Sequence, residues 1–124
     1  MVRGLGIDLC EISRMEAAIA KNERFLERWY TLKEREYIRE RGKAGAQSAA
    51  AMFAAKEAFL KAAGTGIGRG IELSEIAVHH NEMGAPQYVL TGGAETRMRE
   101  MNAQRAWLSI SHEGGMAAAV CVIE

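Results

Sequence analysis

No run of this 124-residue chain approaches the apolar length of a membrane span, so no transmembrane helix is expected. The opening MVRGLGIDLC has neither the apolar stretch nor the small-residue cleavage site of a secretory leader, and none is expected either. There are only two cysteines, Cys10 and Cys121, and they lack metal-ligand spacing. Both fall in apolar runs that read as strands, so buried, reduced thiols in a cytoplasmic protein are expected. Net charge is zero and no RNA- or DNA-binding motif is present, which argues against a dedicated nucleic-acid binder. Internal repeats, low-complexity tracts and linkers are also lacking.

What is there is ordinary globular composition, 48% hydrophobic and 26% charged. A chain of this length is read as one α+β domain, 1–124. Its charge is uneven: residues 1–70 hold 13 Lys+Arg and 9 Asp+Glu, residues 71–124 hold 3 and 7. The N-terminal half is therefore the side expected to meet something anionic.

GLGIDLCEI reads as a first strand. Ser13 with Glu16 forms a capping-box pattern opening a helix to about residue 20, or on to Tyr30. Thr31 with Glu34 repeats the pattern for a helix reaching roughly Arg41. Gly42 to Gly45 is a break, and alanine-rich residues 46–63 predict a long helix stopped by Gly64. IELSEIAVHH and PQYVL read as strands around a turn, GGAETRMREMNAQ as a helix, and WLSISH and MAAAVCVI as two more strands. Every residue of MAAAVCVI is apolar, so both faces of that strand need cover. Either a helix and a loop supply it, or a second subunit does.

The long helix contains FAAKEAFLK, with Lys56 and Glu57 inside an apolar run and Lys61 one turn on. At roughly 100° per residue Ala50, Ala54, Glu57, Lys61 and Gly64 share one side. An exposed Glu–Lys pair at this spacing is commonly just a solvated surface feature. Here small residues flank it, leaving room for a ligand. Gly64, Gly66, Gly68 and Gly70 alternate, but they follow a helix and lead to a strand, the wrong order for a dinucleotide loop. They read as a helix cap and a connection. Asp8 inside an apolar strand, His112 before a glycine turn and Arg14 at the start of a helix complete the candidates. Each also has an ordinary reading, as a strand-end aspartate, a turn histidine and a surface arginine.

GLGIDLCEISRM, FAAKEAFLKAAGTG and LSISHEGGMAAAV, in that order, together with NEMGAPQYVL, resemble the motifs of the holo-acyl-carrier-protein synthases. These are the small 4′-phosphopantetheinyl transferases. The resemblance implies an antiparallel sheet packed on a long central helix and shorter helices. It implies transfer of the phosphopantetheine arm of coenzyme A to a serine of an acyl carrier protein, a step of fatty acid biosynthesis that releases 3′,5′-ADP. It places Asp8 and Glu57 as Mg²⁺ ligands, a choice that suits hard carboxylate oxygens beside a diphosphate. Lys61 would touch the phosphates or assist proton transfer, and Gly64, Pro86 and His112 would join it at the coenzyme A site. The serine proton could pass to Glu57, to a metal-bound water or to Lys61. Members are typically trimers with shared active sites; the implied split takes Asp8 and His112 from one chain and the Glu57 helix from another. Met52 stands where members often carry Arg, leaving Lys43, Arg41 or Arg69 to supply that cation. A coenzyme A or nucleotide-binding module without catalysis is the alternative.

The resemblance also implies that the first helix docks the acidic carrier protein. If residues 13–28 form one helix, Arg14, Lys21, Arg24 and Arg28 fall within one quadrant at roughly 100° per residue, opposite Glu16, Glu23 and Glu27. Phe25 is the apolar member of the same expected docking set.

Overall fold

The computed structural model describes residues 1–22, 24–66 and 69–124; Glu23 and Gly68, named above, lie outside the described residues. In chain order the elements are β1 (Gly4–Glu11), α1 (Ile12–Lys21), α2 (Phe25–Trp29), α3 (Leu32–Glu40), α4 (Gly45–Ala62), β2 (Ile76–His80), β3 (Pro86–Leu90), α5 (Gly92–Glu100), β4 (Ala106–Glu113) and β5 (Met116–Ile123). Short 3₁₀ turns occupy Gly42–Ala44 and Leu73–Glu75. β1, β5 and β4 form an antiparallel sheet in that order, and β2 pairs with β3 in a separate antiparallel hairpin. This is the expected α+β arrangement of antiparallel strands on a long helix. Among the described residues, no helix is long and apolar enough to cross a membrane.

α4 is the centre of the molecule because its alanines let other elements approach it from several sides. Ala49, Ala50, Ala54, Ala55 and Ala58 are fully buried, as are Phe59 and Lys56. The tightest approach is made by β1. A Cβ on Gly4 would overlap the Ala62 carbonyl oxygen, and one on Gly6 the Ala58 carbonyl oxygen. The glycines of GLG therefore bring the strand backbone directly onto the helix. Gly6→Ala should cost about 1–3 kcal/mol by forcing β1 off α4, measured as a fall in urea midpoint at unchanged slope. A wild-type midpoint would show that the strand can shift without loss.

The inner residues of β5, Ala117, Ala119, Cys121 and Ile123, are buried under α4. Its outer residues share a face with β1 Leu5, Ile7 and Leu9, which are 67%, 63% and 61% exposed, and with Trp107, 49% exposed. So, among the described residues, neither helix nor loop covers the second apolar face of β5.

The Thr31–Glu34 capping box is present, with Thr31 Oγ1 accepting from the Glu34 N–H at 3.1 Å and Glu34 Oε1 from the Thr31 N–H at 2.8 Å. Gly64, at φ +71°, ends α4 as expected: its N–H donates to Lys61 O and the Thr65 N–H to Leu60 O, both at 3.1 Å. Both cysteines are free thiols, Cys121 buried and Cys10 half-buried. Burial pushes the Cys121 thiol up to about 11.

Three expectations need correction. Ser13 is not an N-cap: β1 runs straight into α1 at Glu11, and the Ser13 hydroxyl donates to Glu11 Oε1 at 3.1 Å. Residues 13–28 are not one helix, because Asn22 turns extended (φ −160°, ψ 101°) and its side-chain oxygen accepts the Arg24 N–H at 3.0 Å. That local bond competes with helix continuation. The strand expected over 71–80 begins only at Ile76, because the Glu72 N–H donates to Glu75 Oε1 at 2.8 Å and the Glu75 N–H to the Glu72 carbonyl at 2.9 Å, closing the Leu73–Glu75 turn.

Candidate active site

The glycines of β1 settle where Asp8 goes. It is the next residue on the face that meets α4, and it falls beside the polar stripe of that helix. Lys61 Nζ donates to Asp8 Oδ1 at 2.8 Å and to the Ile7 carbonyl at 3.0 Å. Asp8 is largely covered, 17% exposed at the side chain, whereas Lys61 is 55% exposed. Glu57 lies one turn back along α4, half-buried. Burial raises its carboxyl above the ordinary range, the Asp8 charge raises it further, and the Lys61 ammonium opposes both. Two carboxylates and an ammonium thus share one electrostatic neighbourhood at the edge of β1, within a single chain.

That corrects the expected division, in which Asp8 and Glu57 came from different chains. The residue that stands apart is His112. β1 and β4 are the two edges of the sheet, so two strand spacings, about 10 Å, separate them. His112 also lies two residues beyond Ile110, the β4 residue in register with Asp8 through Ala119. Its ring Nε2 instead meets Gln47 Nε2 at 3.1 Å, at the far end of α4. Pro86 is elsewhere again, lining a groove with Gln87, Met98, Gln104 and Trp107. Gly64 is at the end of α4, where Arg97 Nε donates to the preceding Ala63 carbonyl at 3.0 Å. One chain therefore brings together Asp8, Glu57 and Lys61, with Gly64 one turn beyond Lys61, and leaves His112 and Pro86 outside.

The charge in the middle of the apolar run has a different explanation from its neighbours. Lys56 is wholly buried and donates to both Glu34 carboxylate oxygens, at 2.9 and 3.0 Å. It also donates to the carbonyls of Leu73 and Ile76 at 3.0 and 2.9 Å. Burial lowers the Lys56 ammonium and the Glu34 charge opposes that shift. Met52 is likewise core, 1% exposed, and presents nothing to a ligand. Of the three cations that could replace it, Arg41 stands over the Tyr37 ring at 5.7 Å and Lys43 lines a groove with Arg24, Arg35 and Arg39. Arg69 is exposed.

Beside α1 runs a groove of about 570 Å³, lined by Leu9, Met15, Phe25, Trp29 and Phe53, with Arg14 and Lys21 on it. Phe25, Trp29 and Phe53 form an aromatic row, with successive ring centroids 5.5 Å apart. The break at Asn22 sends Arg24 to the other groove, with Glu16 and Glu27, and Arg28 lines neither. The expected docking set therefore splits, and only Arg14, Lys21 and Phe25 stay together. Trp29 and Phe53 were missed by sequence reasoning; their helical spacing signals only burial.

Residues 4–121 match the family model described as the 4′-phosphopantetheinyl transferase superfamily. The holo-[acyl-carrier-protein] synthase of Trichlorobacter lovleyi is 45% identical, over 100% of this chain and 98% of its own length. Among solved structures, the holo-[acyl-carrier-protein] synthase of Neisseria meningitidis superposes with a TM-score of 0.90 at 31% identity, covering 100% of this chain and 99% of that one. The Helicobacter pylori synthase in complex with coenzyme A gives 0.84 at 33% identity, covering 97% and 99%.

Proposed function

The chain belongs to the 4′-phosphopantetheinyl transferase superfamily, and from that membership and the geometry at the edge of β1 we propose a holo-acyl-carrier-protein synthase. The reading takes residues 1–124 as one transferase domain working in the cytoplasm, in fatty acid biosynthesis. A serine oxygen of the apo acyl carrier protein bonds to the phosphorus that carries pantetheine. The bond from that phosphorus to the bridging diphosphate oxygen breaks, and 3′,5′-ADP leaves. The observation that carries the proposal is the convergence of Asp8, Glu57 and Lys61 in one chain.

Each of the three has work that its surroundings support. Asp8 and Glu57 are the carboxylates that would hold a divalent cation. The Asp8 charge raises the Glu57 carboxyl, so a cation held by both would relieve that repulsion, and two hard oxygens plus substrate phosphates suit Mg²⁺. Bound there, Mg²⁺ would polarise the attacked phosphoryl group and neutralise charge on the leaving fragment. Lys61 is a half-exposed ammonium able to turn from Asp8 to a phosphate oxygen. Glu57 and Lys61 are the two side chains of this site able to take the serine proton.

His112 and Pro86 reach such a site only from another copy, and the open face of the sheet offers the means. Leu5, Ile7, Leu9, Val120, Val122 and Trp107 form a contiguous apolar surface, and such surfaces are rarely left bare. The reading is a homotrimer in which one chain supplies Asp8, Glu57, Lys61 and Gly64, and its neighbour His112 and Pro86. Light scattering should give three times the 13.6 kDa chain mass, and Ile7→Glu should release monomers without turnover. An active monomer would sink the shared site.

The groove beside α1 fits an acidic partner helix: an aromatic floor with Arg14 and Lys21 at its edge. Arg14→Glu should raise the KM for carrier protein about tenfold and leave that for coenzyme A nearly unchanged. Added salt should mimic the effect. Arg24→Glu should do less, since Arg24 faces the other groove. Equal effects from the two would place the carrier across both grooves.

The activity itself is tested by incubating the chain with apo carrier protein, coenzyme A and Mg²⁺ and weighing the carrier by mass spectrometry. A gain of one phosphopantetheine arm is expected. Coenzyme A binding without that gain would favour the non-catalytic module.

A further inference from the structure

Alternation along β4 turns Ala106, Leu108, Ile110 and His112 toward the face that α4 covers. The first three pack against the core. His112 comes last, beyond the apolar rows, and is exposed. There the first turns of α4 carry Gln47, whose Nε2 lies 3.1 Å from the ring Nε2 of His112. Among the described residues this is the only hydrogen bond that the ring makes.

With the amide nitrogen of Gln47 turned to the ring, the pair has one direction: that nitrogen only donates, so the imidazole nitrogen facing it presents a lone pair. The ring proton of neutral His112 is then on Nδ1. Free neutral imidazole side chains in water favour the opposite tautomer, with the proton on Nε2. Gln47 therefore reverses the ordinary preference, and it also fixes the ring plane from the helix side.

We propose that Gln47 is a positioning residue: it holds His112 in the Nδ1–H tautomer and so directs an N–H donor, rather than a lone pair, at a phosphate group of coenzyme A. This rests on the reading of His112 as a coenzyme A contact. Phosphate oxygens accept and do not donate, so a ring offering its lone pair to them would repel. Without Gln47 the ring rotates and exchanges tautomers, and a phosphate has to select from that mixture the one arrangement that turns an N–H toward it.

The test reads the tautomer directly. In ¹⁵N-labelled protein, two-bond ¹H–¹⁵N spectra at a pH where the ring is neutral report which nitrogen carries the proton; the signals of His79 and His80 are set aside by comparison with His112→Asn. Wild type should show the Nδ1–H pattern and Gln47→Ala the Nε2–H pattern. Gln47→Ala exchanges one helix former for a better one, so the fold is kept. Its KM for coenzyme A should rise roughly threefold to tenfold, the scale of one hydrogen bond, with a smaller change in kcat. An Nε2–H pattern in wild type overturns the positioning role whatever the kinetics show. A raised KM in His112→Ala beside a wild-type KM in Gln47→Ala overturns Gln47 alone. A wild-type KM in His112→Ala overturns the underlying reading of His112 itself.

Discussion

Asp8→Ala and Glu57→Ala should each lower turnover by at least about a hundredfold while the protein stays folded. Neither side chain supports the core: Glu57 is half-buried, and Asp8 has its ion pair with a lysine that is itself 55% exposed. A sharper variant is Glu57→Gln, which keeps the shape and removes the charge. The Glu57 carboxyl is raised by burial first and by Asp8 second, so the folded protein favours the protonated form more than the unfolded chain does. The stability contributed by that preference is fully present below the ordinary glutamate range and is lost as pH rises through the folded value. At neutral pH the wild type has lost it, whereas a neutral glutamine never carried the cost. Glu57→Gln should therefore melt above wild type at pH 7, with the gap closing toward pH 4. Mg²⁺ should raise the Tm of wild type and not that of Glu57→Gln, because only a bound ligand shifts the folding equilibrium. If Glu57→Gln kept most of its turnover, this site would not be the catalytic centre.

That a charge costs stability at its own site is part of why the site was legible in sequence. Asp8 in an apolar strand and Glu57 and Lys61 on one side of a helix are local patterns, and the structure brings the three together. The close fit of β1 on α4 was not legible, because GLG says only that two side chains are missing. That Ala58 and Ala62 fill the space depends on which helix packs there. The break at Asn22 was missed because an exposed asparagine in a mixed-charge stretch is compatible with helix. What decides is its side-chain bond to the Arg24 N–H. His112 was legible as a candidate, but its separation from Asp8 is set by strand order, β1 and β4 lying on opposite edges with β5 between them. Strand order is a long-range property that no window of residues carries. Glu34 gave half of itself away. Its capping box was readable from Thr31, while its second role, as counter-ion to Lys56 from 22 residues along the chain, was not.

Lys56→Met should be the most destabilising single change considered, at about 3–5 kcal/mol, because it leaves the Glu34 carboxylate buried without its cation. Both partners are essentially inaccessible, 0% and 1% exposed, so water cannot take over. In many proteins the loss is recovered by making both partners apolar, since burying a charge pair is itself costly. Recovery should fail here, and the hydrogen bonds say why. Glu34 also accepts the backbone N–H groups of Thr31 and Val78, at 2.8 and 2.9 Å. Lys56 also donates to two backbone carbonyls, those of Leu73 and Ile76. Making both side chains apolar orphans the Thr31 and Val78 N–H groups and the Ile76 carbonyl, while the Leu73 carbonyl keeps the Ile76 N–H, and each one left buried costs about 1–3 kcal/mol. The pair is thus a polar junction that joins α3, α4 and the entry to β2, and its contribution lies in those four backbone bonds as much as in the charges. The double variant Glu34→Leu with Lys56→Met should accordingly remain at least about 2 kcal/mol below wild type, measured by urea unfolding. A double variant as stable as wild type would mean that those backbone groups find other partners, and that Lys56 and Glu34 serve only each other.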